Sequence, residues 1–453
     1  MTRALFLIAT ATALLPVAAL AGDSAETGDL RRENVELRDR VQRLEEQLAE
    51  VLRRLDAAPT TGAPRTDLDA ETDRLLESLA REYGPAAEKG LKPVLSTVDV
   101  ELYGFVKVDA AYDTARTSTG NLARWVESEE DGHNDDDGNV TARDTRLGLK
   151  LRGPPAAGAK TSAQVELDFY GDGAENKPQP MLRHAFFTID WADLGLSLLA
   201  GQTWDVIAPQ LPYTLNSAVL WWAGNIGYRR PQVRLTGKFA VAESTTLECA
   251  VAATRSIGRS SAFGALDSGQ DAGTPGGQGR AAITRPLIGG RPATLGVSGH
   301  VAQEQYDTAK DGSHEDIESW SVCLDFALPV ADWLTLKGEC HRGENLDQYV
   351  GGIGQGVNLT SLTGIAAAGG WVAAAIGPFS GWTFGLGASR ERVSRGDVDL
   401  GARARNRAIF VHALYALGAG TSVGLELFSW RTTYAGKEAG DSLRVQMSFI
   451  FRF

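Results

Sequence analysis

Hydrophobic and polar residues alternate along most of the chain from about residue 100 to the C-terminus. Between residues 145 and 152, leucines occupy every second position, with arginine, lysine or glycine between them. Residues 162–170 and 232–239 repeat the pattern. A period of two is typical of strands with one apolar and one polar face. The pattern therefore predicts an all-β domain over residues 100–453.

Sixteen strands can be placed in this region. They cover residues 101–112, 144–152, 161–170, 181–191, 194–202, 230–239, 245–254, 279–288, 291–306, 316–327, 334–345, 370–376, 382–392, 403–415, 421–433 and 442–453. Short turns such as 192–193 alternate with long polar loops such as 113–143, 203–229 and 255–278. A soluble sandwich has no reason to keep all long loops at one end, whereas outer-membrane barrels do. We therefore expect a 16-stranded antiparallel transmembrane β-barrel of porin type.

The last predicted strand has a distinctive end. Its apolar residues are Leu443, Val445, Met447, Phe449, Phe451 and Phe453, and Arg444, Gln446, Ser448 and Arg452 alternate with them. A terminal Phe on an amphipathic strand resembles the C-terminal recognition signal of outer-membrane barrels. In a soluble protein, the same exposed stripe would be an aggregation hazard.

The first 21 residues read as a signal peptide. A basic start at Arg3 precedes an apolar run to Leu15, and Ala19 and Ala21 form a small-x-small cleavage site. An N-terminal anchor helix is the alternative, but the apolar run is shorter than the roughly 20 residues that a spanning helix needs. We expect export and a mature chain that begins at Gly22.

Residues 22–58 carry a heptad pattern that predicts a coiled coil in the periplasm. Its seam consists of Leu30, Asn34, Leu37, Val41, Leu44, Leu48, Val51 and Leu55. Asn34 is the polar seam residue that can fix register and oligomer state. The alternative is an amphipathic helix packed on a globular core, although the apolar stripe is narrow for that role. Residues 59–99 are expected to form a linker with a short helical segment over 68–83, whose role the sequence does not define.

Composition narrows the possible functions. The 45 basic and 57 acidic residues give 45 − 57 = −12, which argues against a nucleic-acid binder. Cys249, Cys323 and Cys340 form no metal or disulfide spacing, so free thiols are expected. Neither G-x-S-x-G, H-E-x-x-H nor a P-loop occurs in the chain. We therefore expect no enzyme activity, no cofactor and no metal.

The third long loop and its flanks carry a family resemblance. The GQTW turn at residues 201–204 and the Arg-Arg-Pro-Gln-Val-Arg run at residues 229–234 resemble the DcaP-like outer-membrane porins. The resemblance implies a trimeric channel of dicarboxylate-uptake type in which loop 203–229 folds inward as a constriction. Its expected constriction residues are Trp204, Asp205, Tyr213, Trp221 and Trp222.

Alternation through the first six strands predicts a basic lumen wall. The expected pore-lining and anion-binding residues are Lys107, Arg146, Lys150, Arg183, Arg230, Arg234 and Lys238, with His184 as the alternative to Arg183. The inward loop contains one acid, Asp205, so we expect a positive constriction that attracts carboxylates. The alternative is a set of solvated charges offset by Glu166, Asp168, Glu248 and Glu304, without a binding site.

The sequence thus predicts an outer-membrane channel for small hydrophilic solutes that is anion-selective and favours organic carboxylates. A non-selective general porin and a tether between the outer membrane and the cell wall remain alternatives. The expected partners are two further copies in a homotrimer, outer-membrane lipid and lipopolysaccharide, and small anionic solutes, with peptidoglycan a further candidate. The acidic stretch of loop 113–143 is interpreted as a solvated external loop rather than a defined calcium site.

Overall fold

A computed structural model describes residues 98–118, 122–132, 134–155, 158–172, 177–258 and 268–453. The predicted signal peptide, the coiled coil and the linker up to residue 97 lie outside the described residues. None of the helices in the described part of the chain is long and apolar enough to cross a membrane.

Nineteen strands account for nearly all regular structure in these ranges. They are β1 (Asp99–Asp113), β2 (Asp137–Thr141), β3 (Arg146–Arg152), β4 (Lys160–Asp168), β5 (Met181–Trp191), β6 (Leu196–Trp204), β7 (Arg229–Ala242), β8 (Thr245–Thr254), β9 (Gly276–Pro286), β10 (Pro292–Asp307), β11 (His314–Ala331), β12 (Leu334–Glu344), β13 (Val357–Asn358), β14 (Thr363–Gly364), β15 (Ala366–Phe379), β16 (Trp382–Val393), β17 (Arg403–Gly418), β18 (Thr421–Tyr434) and β19 (Gly440–Arg452). Within the described ranges, the helical turns have four residues or fewer and lie in the connections between strands.

The sheet closes on itself. Each barrel strand pairs antiparallel with its neighbour in the chain, and β1 pairs with β19 from Phe105–Arg452 to Asp113–Arg444. β2 and β3 both pair with β1, so they share one position in the barrel, interrupted at residues 142–145. β13 and β14 form a separate hairpin. The result is a closed barrel with 16 strand positions, which confirms the predicted fold of residues 100–453.

Two details differ from the sequence-based strands. β2 lies inside what was expected to be loop 113–143, and its polar sequence has weak strand propensity. It forms because β1 extends to Asp113 and offers backbone groups that need partners. The hairpin β13–β14 lies in residues 345–365, where no strand was expected.

The alternation of apolar and polar residues separates an apolar outer surface from a polar lumen. On β19, Phe449 and Phe451 are about half exposed, whereas Arg444 and Ser448 are buried. β11 and β12 place Cys323 in the buried set and Cys340 in the exposed set, and all three cysteines are free thiols, as expected. Apolar residues therefore cover the outside, and charged residues fill the inside.

The two ends of the barrel differ. Turns of two to seven residues join β3–β4, β5–β6, β7–β8, β9–β10, β11–β12, β15–β16 and β17–β18 at one end, where β1 also begins. Gly195 shows why such turns are tight, because its φ is +63° and a Cβ there would meet the Lys238 carbonyl oxygen at 2.4 Å. The longest connections, including residues 205–228 and 345–365, all lie at the opposite end.

Candidate functional site in the barrel lumen

Residues 205–228, between β6 and β7, fold into the lumen, and we call them the constriction loop. Asp205 closes its base, because one carboxylate oxygen accepts a hydrogen bond from Arg230 Nε at 2.6 Å and the other accepts one from the Tyr228 backbone N–H at 2.8 Å. Gln278 of β9 donates a further hydrogen bond to Asp205 at 2.7 Å. Asp205 and Arg230 are both buried, so this ion pair serves the loop rather than a solute.

Three glutamates on the far wall hold the rest of the constriction loop. Glu426 of β18 accepts hydrogen bonds from the backbone N–H groups of residues 215 and 216 at 2.6 and 2.7 Å. Glu339 of β12 and Glu391 of β16 accept from residues 210 and 224 at 2.6 and 3.1 Å. All three carboxylates are buried. The loop sequence suggested that the lumen has almost no acidic side. The three glutamates form one, but their carboxylates are occupied by backbone donors.

A second loop, residues 345–365 between β12 and β15, packs against the constriction loop. The Trp222 backbone N–H donates to the Val350 carbonyl at 2.7 Å, and that of Gly227 donates to the Tyr349 carbonyl at 2.9 Å. Tyr349 is buried, and its ring stacks on the Arg230 guanidinium with Cζ 3.8 Å from the ring centroid. No pattern in residues 345–365 predicted that this loop enters the lumen.

An outer chamber of about 180 Å³ lies on the long-loop side of the constriction loop. Arg229 lines it together with Trp204, Trp221 and Tyr228. The Arg229 Cζ lies 4.5 Å from the Tyr228 ring centroid, 4.7 Å from that of Trp204 and 5.8 Å from that of Trp221. Within the described residues, Arg229 makes no ion pair, and its Nη1 has no hydrogen-bond partner. The ring faces hold this guanidinium, and no protein acceptor among the described residues satisfies its buried Nη1 donor.

The other cations of the outer chamber are paired. Arg183 donates from Nε to Glu166 and from Nη1 to Asp168, both at 2.6 Å. Arg146 Nη2 lies 3.1 Å from Asp144, and the Arg146 side chain remains 28% exposed. Burial raises the pKa of Tyr170, which lies in the loop after β4, so this residue faces the chamber as a neutral hydroxyl.

An inner chamber of about 670 Å³ lies on the short-turn side of the constriction loop. Its basic residues are Arg234, Lys238 and Arg280. Lys238 lies 3.1 Å from Glu248, and Arg280 pairs with Asp325 at 2.7 Å. In the described part of the chain, Arg234 has no carboxylate within ion-pair distance, and its Nε has no hydrogen-bond partner.

Solved structures share this fold, although no protein-family model and no curated protein sequence matches the chain. The outer membrane channel DcaP of Acinetobacter baumannii aligns with a TM-score of 0.63 and 20% identity, covering 79% of this chain and 98% of that one. OprB of Pseudomonas putida aligns with a TM-score of 0.50 and 10% identity, covering 82% and 97% of the two chains.

The chain has the fold of the DcaP channel. The predicted resemblance to DcaP-like porins is therefore confirmed at the level of the fold. The DcaP structure is that of an outer membrane channel, so the likeness fits a wall of apolar residues around a polar lumen.

The seven cations predicted for the lumen divide unevenly between paired and unpaired groups. Carboxylates lie within 3.2 Å of Lys107, Arg146, Lys150, Arg183, Arg230 and Lys238. Arg234 is the exception among the described residues. A bulge in the β4–β5 pairing turns both Arg183 and His184 inward. The two residues, which the sequence offered as alternatives, therefore both face the lumen.

The structure separates the predicted constriction residues into three groups. Trp204, Trp221 and Trp222 line the outer chamber. Asp205 belongs to the loop base described above. Tyr213 lies elsewhere on the loop, where Lys337 Nζ is 4.8 Å from its ring centroid, so it does not line the outer chamber with the tryptophans.

Arg229 is the main residue that the alternation rule missed. Regular alternation along β7 points Arg230 into the lumen and Arg229 away from it, yet both side chains are buried. Arg229 reaches the interior because it is the first residue of β7 and the chain still follows the path of the constriction loop there. The signal available in the sequence was the Arg-Arg pair directly before Pro231.

Proposed function

We propose that the protein is an outer-membrane porin through which small hydrophilic solutes diffuse, and that it favours organic carboxylates, including dicarboxylates. The observation that carries the proposal is the placement of Arg229 and Arg234. They are lumen arginines without a carboxylate partner among the described residues, and one strand carries both.

The two arginines supply sites on both sides of the constriction. Five residues of extended strand separate them by about 17 Å, at about 3.3 Å per residue. Arg229 lines the outer chamber and Arg234 the inner chamber. A carboxylate that leaves the first guanidinium can therefore be received by the second on the same wall, and Arg is suited to this because its fork holds a carboxylate through two hydrogen bonds.

The aromatic residues of the outer chamber favour a solute with a carbon skeleton. Trp204, Trp221 and Tyr228 offer apolar ring surface beside the Arg229 guanidinium. An organic anion gains both a charge-assisted hydrogen bond and apolar contact there, whereas chloride gains only the first. This difference supports a preference for organic over inorganic anions.

The interaction at each arginine must remain weak, because a channel has to release its solute. A bond to a charged group in a wet pore contributes about 1–2 kcal/mol. Removal of one guanidinium should therefore weaken the binding of a blocking dianion by about 5- to 30-fold.

Block of planar-bilayer current by a small dicarboxylate tests the proposal. Arg229→Gln and Arg234→Gln are each expected to raise the half-blocking concentration by that factor. Lys238→Gln is the matched control, because it removes a lumen cation that already has Glu248 as its partner. Equal effects of all three variants, or none, would mean that the unpaired arginines do not form carboxylate sites.

A non-selective general porin is the second candidate, and one observation favours it. Six of the seven predicted lumen cations have carboxylate partners. If these ion pairs neutralise the electrostatic potential of the lumen, solute size alone determines which solutes pass. Unchanged block in both arginine variants would favour this candidate.

We also propose that residues 22–58 form a periplasmic coiled coil that joins three barrels. The heptad seam with Asn34 supports this, as does the start of β1 at the short-turn end. A tether to the cell wall is compatible with the same segment. Deletion of residues 22–97 tests the tether. If the segment is a tether, the shortened protein loses its attachment to the cell wall while uptake continues.

A further inference from the structure

Arginines form a dense patch on the outer wall of the barrel, at the long-loop end of β12, β16 and β17. On β16 and β17 the outward positions hold apolar residues up to Ala388 and Ile409 and then change to arginine. The members of this patch, which we call the arginine patch, are Arg342, Arg390, Arg392, Arg395, Arg405 and Arg407. All six are exposed.

Strand register brings these side chains into direct opposition. Arg390 is paired with Arg407, and Arg392 is paired with Arg405. Paired residues share a face, and their Cβ atoms lie about 4.5–5.5 Å apart in antiparallel sheets. Like charges at that separation are unfavourable unless an anion lies between them.

No carboxylate among the described residues forms an ion pair with any arginine of the patch, whereas Arg431 beside it is paired with Asp441. The two acids of the adjoining loop have other partners. Asp397 accepts a hydrogen bond from the Ala366 backbone N–H at 3.1 Å, and Asp399 accepts one from the Thr360 hydroxyl at 3.0 Å. The protein itself therefore leaves the patch without a counter-charge in this part of the chain.

The patch also contains space for a ligand. Ala368 and Gly370 of β15 lie in register with Arg392 and Arg390 and leave a gap in the row of long side chains. An open depression of about 340 Å³ is lined by Arg342, Arg392 and Arg395 beside this gap. A group larger than a single ion fits between the guanidinium groups.

The height of the patch places it at a membrane surface. Trp382 and Tyr415, a cross-strand pair with ring centroids 4.8 Å apart, lie at the short-turn end. Arg390 and Arg392 follow Trp382 by eight and ten residues, which is about 26 and 33 Å of strand. At a tilt of about 40° these lengths become about 20 and 25 Å along the membrane normal, close to the height of the apolar band of an outer-membrane barrel.

We propose that the arginine patch binds the phosphate groups of the outer-leaflet glycolipid, lipopolysaccharide. This rests on the proposed location of the barrel in the outer membrane but not on its solute. Arginine forks hold phosphate through paired hydrogen bonds, and a lipid with more than one phosphate can neutralise both opposed pairs at once. A second copy of this chain is a poorer occupant, because the same patch on a symmetry-related copy would add further positive charge.

The test is native mass spectrometry of the full-length protein in neutral detergent with purified bis-phosphorylated lipid A. The double variants Arg390→Gln with Arg407→Gln and Arg392→Gln with Arg405→Gln are each expected to lower the lipid-bound fraction at least fivefold. The matched control replaces Arg285 and Arg452, two exposed arginines at the short-turn end, with Gln and thus removes the same charge. This control should bind lipid A like the wild type.

Further arms identify the group that is recognised. Dephosphorylated lipid A should bind the wild-type protein no better than the double variants do, and free inorganic phosphate should compete only weakly. Circular dichroism and heat-modified gel mobility verify that each variant is folded. Equal lipid A binding by the wild type and both double variants would overturn the proposal, as would equal binding of the dephosphorylated lipid. Loss of oligomers with unchanged lipid binding would also overturn it and would assign the patch to contacts between copies.

The pore measurements remain independent of this test. Because the patch faces outward, the double variants are expected to keep the wild-type conductance and dicarboxylate block. Failure of lipid binding with normal block would reject only the lipid site, and normal lipid binding with no block would reject only the carboxylate channel.

Discussion

Replacing Glu426 with Gln should release the constriction loop from the far wall. Glu426 is fully buried and accepts two backbone hydrogen bonds, at 2.6 and 2.7 Å, from residues 215 and 216. Hydrogen bonds to a charged group contribute about 1.5–3 kcal/mol each. Gln offers one acceptor oxygen without charge and turns its NH₂ group towards a backbone N–H, so one bond is lost and the other is weakened.

The change should cost about 2–5 kcal/mol of attachment free energy, since a neutral bond of about 1 kcal/mol replaces two charge-assisted ones. A loss of that size raises the population of the detached loop by about 30- to 5,000-fold. Single-channel recordings in planar bilayers are expected to show brief openings of larger conductance in E426Q. Proteolysis within residues 205–228 should become faster at the same time.

Glu248→Gln is the control, because Glu248 is a lumen carboxylate that pairs with Lys238 and Arg280. It should alter ion selectivity without the larger openings. If E426Q shows the conductance, noise and protease resistance of the wild type, then Glu426 does not hold the loop in place. If E248Q shows the same openings as E426Q, loss of lumen charge and not loss of the anchor explains them.

Other parts of the structure give further predictions. Arg183→Met should lower the free energy of unfolding in detergent by about 3–5 kcal/mol, because Glu166 and Asp168 lose their buried partner; a loss below 1 kcal/mol would contradict the buried pairing. A lipid-soluble maleimide should label Cys340 on the outer surface and leave the buried Cys323 unmodified, and labelling of both at equal rates would contradict the strand phase. Chemical cross-linking of the detergent-extracted protein should yield three chains, and a stable monomer that retains residues 22–58 would contradict the proposed trimer.

The barrel could be predicted because alternation is a local property of each strand. The period of two places Phe449 and Phe451 outside and Arg444 inside, and the 16 expected strands correspond to the 16 positions of the closed barrel. Connection lengths then distinguish the two ends. None of these inferences requires knowledge of which residues meet across the lumen.

The partners of the charged groups could not be predicted, because they are distant in sequence. Glu426 is 211 residues from the backbone N–H of residue 215, and Arg230 is 25 residues from Asp205. Arg230 therefore looked like a free lumen cation in the sequence, whereas the structure assigns it to the loop base. The inward position of Arg229 could not be predicted for another reason. The alternation rule applies within a strand and fails at its first residue.

The reversal potential of the full-length protein under a salt gradient shows whether the two unpaired arginines make the pore anion-selective. The wild type is expected to be anion-selective, and replacement of both Arg229 and Arg234 with Gln should shift the potential towards cations, because these arginines lack carboxylate partners in the described part of the chain. Replacement of the paired Lys238 should shift the potential less. A cation-selective wild type, or a reversal potential that is unchanged in the double variant, would refute the proposed anion channel.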